Sequence, residues 1–332
     1  MLVIFIHISS EIILEMPHSR QEFWNIRVAS RLSGFVVQGF ILLSGVKFFL
    51  HYAERIRYGR FYLMRFLHIV VPYILWVLFY YLYFCYRGEY SFSFKQLGRF
   101  ILTGEISAQF YFIVILLQFY LLAPLWRWLL RRANPAVAVL ISLMVTILFG
   151  QNLSDILAVI TPNRTYLYLD RIFPRYLLYW TAGCMIGLHY EAFQEYLRRR
   201  WLSITILFLL CAAGNGWFTV ICVDIHPSWM DGIQTLYCIS ALLFFYALSQ
   251  IFVRGSGVLL RLLQGIDRAS YAIYLVHCLV LFMINDYMNR RGMEDLMTRF
   301  WIRAALVYGI SVLGCVLWGW CKYKIAYLIK KT

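Results

Sequence analysis

Two histidines, His7 and His277, lie inside stretches of sequence that are otherwise almost purely apolar. Nearly every other ionisable side chain is confined to the ends of the apolar runs. An ionisable ring in hydrocarbon is costly, so such a residue marks a functional site by default. Because a free imidazole titrates at about pH 6.5, the chemistry that these positions suggest is proton transfer near neutral pH.

The elements that must position these rings are transmembrane helices. Of the 332 residues, 62% are hydrophobic and 14% are charged, which is more apolar surface than a soluble core uses. The apolar runs are long and continuous, without the alternation of barrel strands. The sequence therefore predicts an all-α fold, a single domain over residues 1–332 that forms a bundle of about ten transmembrane helices. The runs lie near residues 1–14, 28–50, 66–84, 108–126, 136–153, 173–190, 202–222, 233–253, 268–288 and 300–320.

The depth of the two histidines follows from these runs. His7 lies ten residues before Pro17, and His277 lies ten residues after Asp267. At 1.5 Å per residue, each is about 13–15 Å from a helix end, which is close to the midplane. This depth suits a reaction between substrates that approach from opposite sides of a membrane.

The basic residues predict the orientation of the chain. Five segments (47–68, 127–132, 189–200, 254–268 and 322–332) hold 18 of the 31 lysines and arginines but only 4 of the 16 acids. By the positive-inside rule these segments face the cytoplasm, together with both termini. Membrane lipids with anionic headgroups then account for most of the net charge of +15, and no nucleic-acid partner is expected.

The sequence predicts no metal site and no bound cofactor. Eight cysteines lie mostly in or beside apolar runs without C-x-x-C spacing, as small buried hydrophobes do. Asp224, His226 and Asp231 are too loosely spaced to form a metal site.

The first apolar run is short. About 14 residues precede Pro17, and about 21 Å of helix falls short of a hydrocarbon core of about 30 Å. We expect either that the true start lies further upstream or that this helix is an incomplete version of a longer one.

Four segments carry a resemblance to a known family. FVVQGFILLSG (residues 35–45) is similar to V-P-x-F-F-x-x-S-G of the acyltransferase-3 family of bacterial integral-membrane O-acyltransferases, which modify surface polysaccharides. FYLMRFLHIVVPYILW (61–76) resembles the F-Y-x-x-R-x-x-R-I-x-P-Y segment of that family, QFYFIVILLQFYLLAPL (109–125) its H-L-W-F-L…Y-x-x-x-P helix, and SYAIYLVH (270–277) its S-Y-x-I-Y-L-x-H. The order of the motifs and the ten-helix layout also match.

The resemblance implies roles for individual residues. His7 in FIHISS takes the place of the histidine to which the catalysis of the family is assigned, as a general base or a transient acyl carrier. Arg65 matches the first arginine of the family's R-x-x-R, and His68 replaces the second. Both would bind the phosphates of acyl-CoA, with acetyl-CoA the first candidate. The family also has an arginine eleven residues before the catalytic histidine, and this chain begins after that position.

Each of these residues also has a purely structural interpretation. His7 could be a packing histidine bonded to another helix, and Arg65 an ordinary positive-inside anchor. Ser44, beside Gly45, could line a donor channel, although small residues there more simply permit close helix approach. Arg31 could face the acceptor or extend to the interface. His277 could act in the site or serve packing, as Ser270, Tyr271 and Tyr274 beside it do.

The segments on the opposite side of the membrane carry no clear sugar-binding signature. Five charged residues there could meet an anionic or hydroxylated acceptor, although solvated loop charges are the simpler interpretation: Asp155, Arg164, Asp170, Arg171 and Arg175.

Three functions remain open from the sequence. The first is transfer of an acetyl or other short acyl group from cytoplasmic acyl-CoA to a hydroxyl of a cell-surface glycan or lipid-linked saccharide, in the bacterial inner membrane. The second is a polysaccharide exporter or flippase, which the lack of repeats and of matched broken helices disfavours. The third is a non-catalytic partner of a membrane glycan synthase or of export machinery, which the short first helix favours.

Overall fold

The computed structural model describes residues 1–52, 56–160, 167–225, 227, 229–253 and 257–320. Within these ranges the chain forms helices and connecting turns, as the all-α prediction requires. The first eight helices are α1 (Leu2–Glu15), α2 (Gln21–Ser33), α3 (Val36–Tyr52), α4 (Tyr58–Arg65), α5 (Val71–Tyr86), α6 (Phe94–Thr103), α7 (Tyr111–Leu121) and α8 (Ala123–Leu130). The others are α9 (Pro135–Ile147), α10 (Leu153–Ile160), α11 (Leu177–Leu188), α12 (Tyr190–Ile221), α13 (Trp229–Val253), α14 (Gly257–Arg290) and α15 (Leu296–Tyr308).

Six helices in the described ranges are long and apolar enough to cross a membrane, so this is an integral membrane protein. They span Gln21–Tyr52, Tyr58–Tyr86, Tyr190–Ile221, Trp229–Ile251, Leu260–Arg290 and Leu296–Trp320. A seventh span results if Phe94–Thr103 and Ala108–Leu121, which meet at a bend of 56°, cross together.

The predicted count of ten spans is not confirmed. Four predicted runs, those near residues 1–14, 108–126, 136–153 and 173–190, give helices that are too short or bent to count as single spans. The first ends after 14 residues, just before Pro17. The run near 173–190 yields only the 12 residues of α11, because a 3₁₀ turn that contains Pro174 precedes it. The cytoplasmic placement of both termini stays a prediction, as does the single domain.

The chain forms two compact units, which we describe separately. The first comprises residues 1–34, 216–223 and 245–332, and its core is aliphatic. In α1, Ile4, Ile8 and Ile12 are buried at helical spacing, as expected for one face of a packed helix. They contribute to one cluster with Ile273, Leu281 and Ile284 of α14 and Phe300 and Val307 of α15.

The second unit comprises residues 35–215 and 224–244 and depends on aromatic packing and small residues. Trp180 of α11 is fully buried and stacks on Phe119 with ring centroids 4.7 Å apart. Helices α3 and α11 lie in direct backbone contact, because a Cβ on Gly45 would lie only 2.6 Å from the Trp180 carbonyl oxygen. Gly187 likewise lies against Val46, so the two helices run parallel. The close approach expected for the small residues near Ser44 is therefore present.

Candidate functional site

The first unit brings the two histidines of the apolar runs together. His7 of α1 and His277 of α14 lie with their ring centroids 5.3 Å apart and their planes inclined by 49°. His277 is only 1% exposed, whereas His7 is half-buried. Of the two rings, His7 is therefore the one that a substrate could reach.

The hydrogen bonding of His277 fixes the role of each ring nitrogen. Its Nδ1 lies 3.1 Å from the carbonyl oxygen of Ile273. Because a carbonyl can only accept, Nδ1 carries the hydrogen, and in a neutral ring Nε2 then keeps a lone pair. Nε2 is buried and has no hydrogen-bond partner among the described residues. His277 therefore presents a buried proton acceptor in the ring next to His7.

The same rings belong to a group that could hold a metal ion. His7, His277 and Cys278 each offer one ligand atom, and these atoms lie within 4.8 Å of one another. Imidazole and thiolate are ligands that Zn²⁺ accepts. The absence of a metal site stays a prediction, and metal binding by this group would contradict it.

A buried ion cluster one helical turn from His7 was missed by the sequence reasoning. Glu11 follows His7 by four residues on α1 and pairs with both Arg299 and Arg303 of α15. The Arg299 Nη2 atom donates to Glu11 Oε1 at 2.6 Å, and Arg299 Nη1 donates to Asn289 Oδ1 at 2.8 Å. Arg303 is 1% exposed. The signal was present, since a carboxylate inside an apolar run needs a partner.

The predicted donor residues differ in environment. The Arg65 guanidinium lies over the rings of Phe61 and Tyr120, at 5.2 and 4.7 Å from their centroids. His68 is exposed, in a short π-helical turn (Phe66–Val70), with Nδ1 2.9 Å from the carbonyl oxygen of Met64. Cation–π contacts of this kind anchor an arginine without phosphate, so acyl-CoA binding by Arg65 and His68 stays a prediction.

Ser44 and Arg31 occupy different units. Ser44 is half-buried on α3. Arg31 is half-buried in the last turn of α2, within the first unit. The structure thus places Arg31 in the unit of the histidines and Ser44 in the other, and a functional role for either stays a prediction.

A basic and aromatic cavity lies in the second unit, in a segment predicted to face the cytoplasm. It has a volume of about 490 Å³ and is lined by Tyr58, Pro124, Arg127, Trp128, Arg131 and Arg132. The Arg132 guanidinium lies 5.3 Å from the Trp128 ring centroid. In the sequence these arginines indicate only orientation, because the contribution of Tyr58 from α4 depends on tertiary packing.

The charged residues that are predicted to face away from the cytoplasm differ in their environments. Arg171 donates to the Thr103 carbonyl and lies over the Tyr168 ring, so it fastens a loop. It also pairs with Asp170 at 3.5 Å. Arg175 instead lines a polar cavity together with Asp231 of α13. Arg164 and His226 lie outside the described residues, as does the side chain of Asp155.

The family model of an acyltransferase domain, Acyl_transf_3, matches residues 1–320 of this chain. The chain belongs to the acyltransferase-3 family. Among curated proteins it is similar to a "Probable poly-beta-1,6-N-acetyl-D-glucosamine export protein" of Staphylococcus aureus strain Mu50, with 24% identity over 87% of this chain and 81% of that protein. The protein of the same name from strain MRSA252 has the same identity and coverage. No solved structure matches the chain.

Proposed function

We propose that this member of the acyltransferase-3 family is a bacterial inner-membrane O-acyltransferase with His7 as its general base. It transfers an acetyl or other short acyl group from cytoplasmic acyl-CoA to a hydroxyl of an exported glycan. The observation that carries the proposal is the pairing of half-buried His7 with buried His277, whose ring centroids lie 5.3 Å apart.

The reaction needs one proton to move. His7 takes the proton of the glycan hydroxyl while the hydroxyl oxygen attacks the thioester carbonyl of the donor. The C–S bond breaks as the C–O bond forms, and the leaving thiolate takes up the proton from the imidazolium. The buried lone pair of His277 Nε2, in the ring beside His7, stabilises the positive charge of the imidazolium, which makes His277 a positioning residue.

Thioester turnover by purified protein in lipid nanodiscs tests this role. We expect acetyl-CoA and a glycan acceptor to release CoA, and we expect His7→Ala to lose at least about 100-fold in rate, as removal of a general base does. His51→Ala is the matched control, because His51 is exposed at the end of α3. Full turnover by a correctly inserted His7→Ala protein would overturn the proposal.

His277 is tested by the pH profile as well as by the rate. His277→Gln removes the second imidazole but keeps a side chain that can accept a hydrogen bond. If His277 stabilises the imidazolium of His7, the variant should lower kcat and shift the pH profile of kcat while KM stays unchanged. A rate and pH profile equal to wild type would make His277 a packing residue.

The donor would bind in the basic and aromatic cavity. Its arginines suit the phosphates of CoA, and Tyr58 and Trp128 offer ring faces to the adenine base. Arg131→Ala should weaken CoA binding about tenfold in nanodiscs of neutral lipid, whereas exposed Arg57→Ala should not. If Arg131→Ala leaves CoA affinity unchanged and weakens only the binding of anionic lipid, the cavity is a headgroup site. Arg65→Ala, compared in the same assay, decides whether Arg65 adds to donor binding.

Glycan export is a second candidate function, favoured by the name of the S. aureus relatives. Polymer transport would proceed without acyl-CoA and would survive His7→Ala, whereas acyl transfer requires both acyl-CoA and His7. Glycan accumulation inside proteoliposomes, measured with and without acetyl-CoA, separates the two. A partnership with a glycan synthase or export machinery fits either function.

A further inference from the structure

A small polar cavity in the second unit has no role in the acyl-transfer chemistry described above. Its volume is about 160 Å³. Four amide or hydroxyl side chains (Gln38, Thr146, Gln234 and Thr235) and two charged residues (Arg175 and Asp231) line it, together with the tyrosines at the start of α11.

Four separate parts of the chain build this cavity. Gln38 lies in the first turn of α3, and Thr146 lies in the last turn of α9. Arg175 precedes α11, and Asp231 lies in the first turn of α13. These helix ends are the ones that the charge distribution predicts to face away from the cytoplasm. Such convergence of polar groups from distant segments is typical of a ligand pocket.

Gln38 carries an unused hydrogen-bond acceptor. Its Oε1 atom is buried and has no hydrogen-bond partner among the described residues. A buried acceptor left unsatisfied costs about 1–3 kcal/mol. A ligand hydroxyl that donates to Oε1 would remove this cost.

Two other polar groups of the cavity are held in place by hydrogen bonds within the protein. Gln234 Oε1 accepts a hydrogen bond from Asn215 Nδ2 at 2.8 Å. Thr146 Oγ1 accepts from the backbone nitrogen of Leu178 at 2.9 Å. Prior fixing of the lining groups lowers the entropy lost when a ligand binds.

The lining identifies the ligand as neutral and hydroxylated. One guanidinium and one carboxylate balance in charge, so neither an anion nor a cation is favoured. Donors and acceptors are both present beside the faces of Tyr176 and Tyr179, a combination that suits a sugar ring with its hydroxyls and C–H faces. The volume equals that of about five water molecules, which restricts the ligand to one ring.

We infer that this cavity binds one sugar ring of the glycan acceptor. The inference rests on the proposed function for the identity of the glycan, but its binding test does not need turnover. The natural probe is the trisaccharide of β-1,6-linked N-acetylglucosamine. Maltotriose and glucuronate serve as comparison ligands for linkage and charge.

The test measures equilibrium binding of the trisaccharide to the full chain in nanodiscs without acyl donor. Gln38→Leu should raise the Kd about tenfold, the effect of about 1.4 kcal/mol, and should leave thermal stability unchanged or higher because the unsatisfied acceptor is gone. Gln264→Leu, at an exposed glutamine of α14, is the matched control. Asp231→Asn should weaken binding as well.

The outcomes test the sugar cavity and the proposed acyl transfer separately. Binding that is equal in wild type and Gln38→Leu, or tighter binding of glucuronate than of the neutral sugars, overturns the sugar cavity. His7→Ala should bind the trisaccharide normally. If Gln38 governs binding and no variant turns over acetyl-CoA, the sugar cavity stands and acyl transfer fails.

Discussion

Replacement of Gly45 by alanine should separate α3 from α11. The added Cβ would lie 2.6 Å from the Trp180 carbonyl oxygen, about 0.8 Å short of an ordinary 3.4 Å contact. The neighbour is backbone, so no side chain can rotate away. Overpacking of a closely packed contact costs about 1–3 kcal/mol. Alanine also stabilises a helix by about 1 kcal/mol relative to glycine. The measured change in unfolding free energy therefore understates the cost of the clash.

A second glycine provides the reference that removes this propensity term. Gly214 lies within α12, and a Cβ built on it meets nothing within 4 Å. Gly214→Ala should therefore leave the free energy of unfolding unchanged or raise it by up to about 1 kcal/mol. The difference between Gly45→Ala and Gly214→Ala isolates the overpacking, and we expect about 1–3 kcal/mol.

The assay is reversible unfolding in mixed detergent micelles, followed by tryptophan fluorescence. Equal unfolding free energies for the two variants would refute the direct backbone contact between α3 and α11. The same helices carry Gln38 and Tyr179 to the polar cavity. Gly45→Ala should therefore also weaken trisaccharide binding, whereas Gly214→Ala should not.

Two further predictions concern the first unit. Glu11→Gln leaves Arg299 and Arg303 without a carboxylate and should cost about 3–5 kcal/mol in unfolding free energy, as broken buried ion pairs do. Arg303→Met keeps the Arg299–Glu11 pair and should cost less, and the opposite order in a denaturation series would contradict the cluster. Added Zn²⁺ should inhibit acyl transfer by occupying the lone pairs of His7 and His277, and EDTA should leave the rate unchanged. Loss of activity with EDTA, restored by Zn²⁺, would show that the reaction uses a metal.

Local features of the sequence were predictable, and distant pairings were not. Hydropathy located six long helices because about 20 apolar residues suffice to define a span. Hydropathy windows do not register turns, so the break near Pro174 was missed, whereas Pro17 already marked the first run as short. The depth of His7 and His277 follows from counting residues, but their contact depends on how α1 packs against α14. The pairing of Glu11 with Arg303 joins residues almost 300 positions apart, and no local pattern encodes it.

In the second unit, the cavities associated with the two ends of α3 differ in charge. Gln38 lies at the beginning of this helix, in the neutral polar cavity. At the other end, about 21 Å away at 1.5 Å per residue, Tyr52 packs on Phe61 of α4, the helix that also brings Tyr58 to the basic cavity. In the proposed transferase these two ends of α3 would serve the phosphorylated donor and the glycan acceptor. An anchor for lipid headgroups would explain the basic cavity but not the neutral polar one, whereas the proposed acyl transfer uses both.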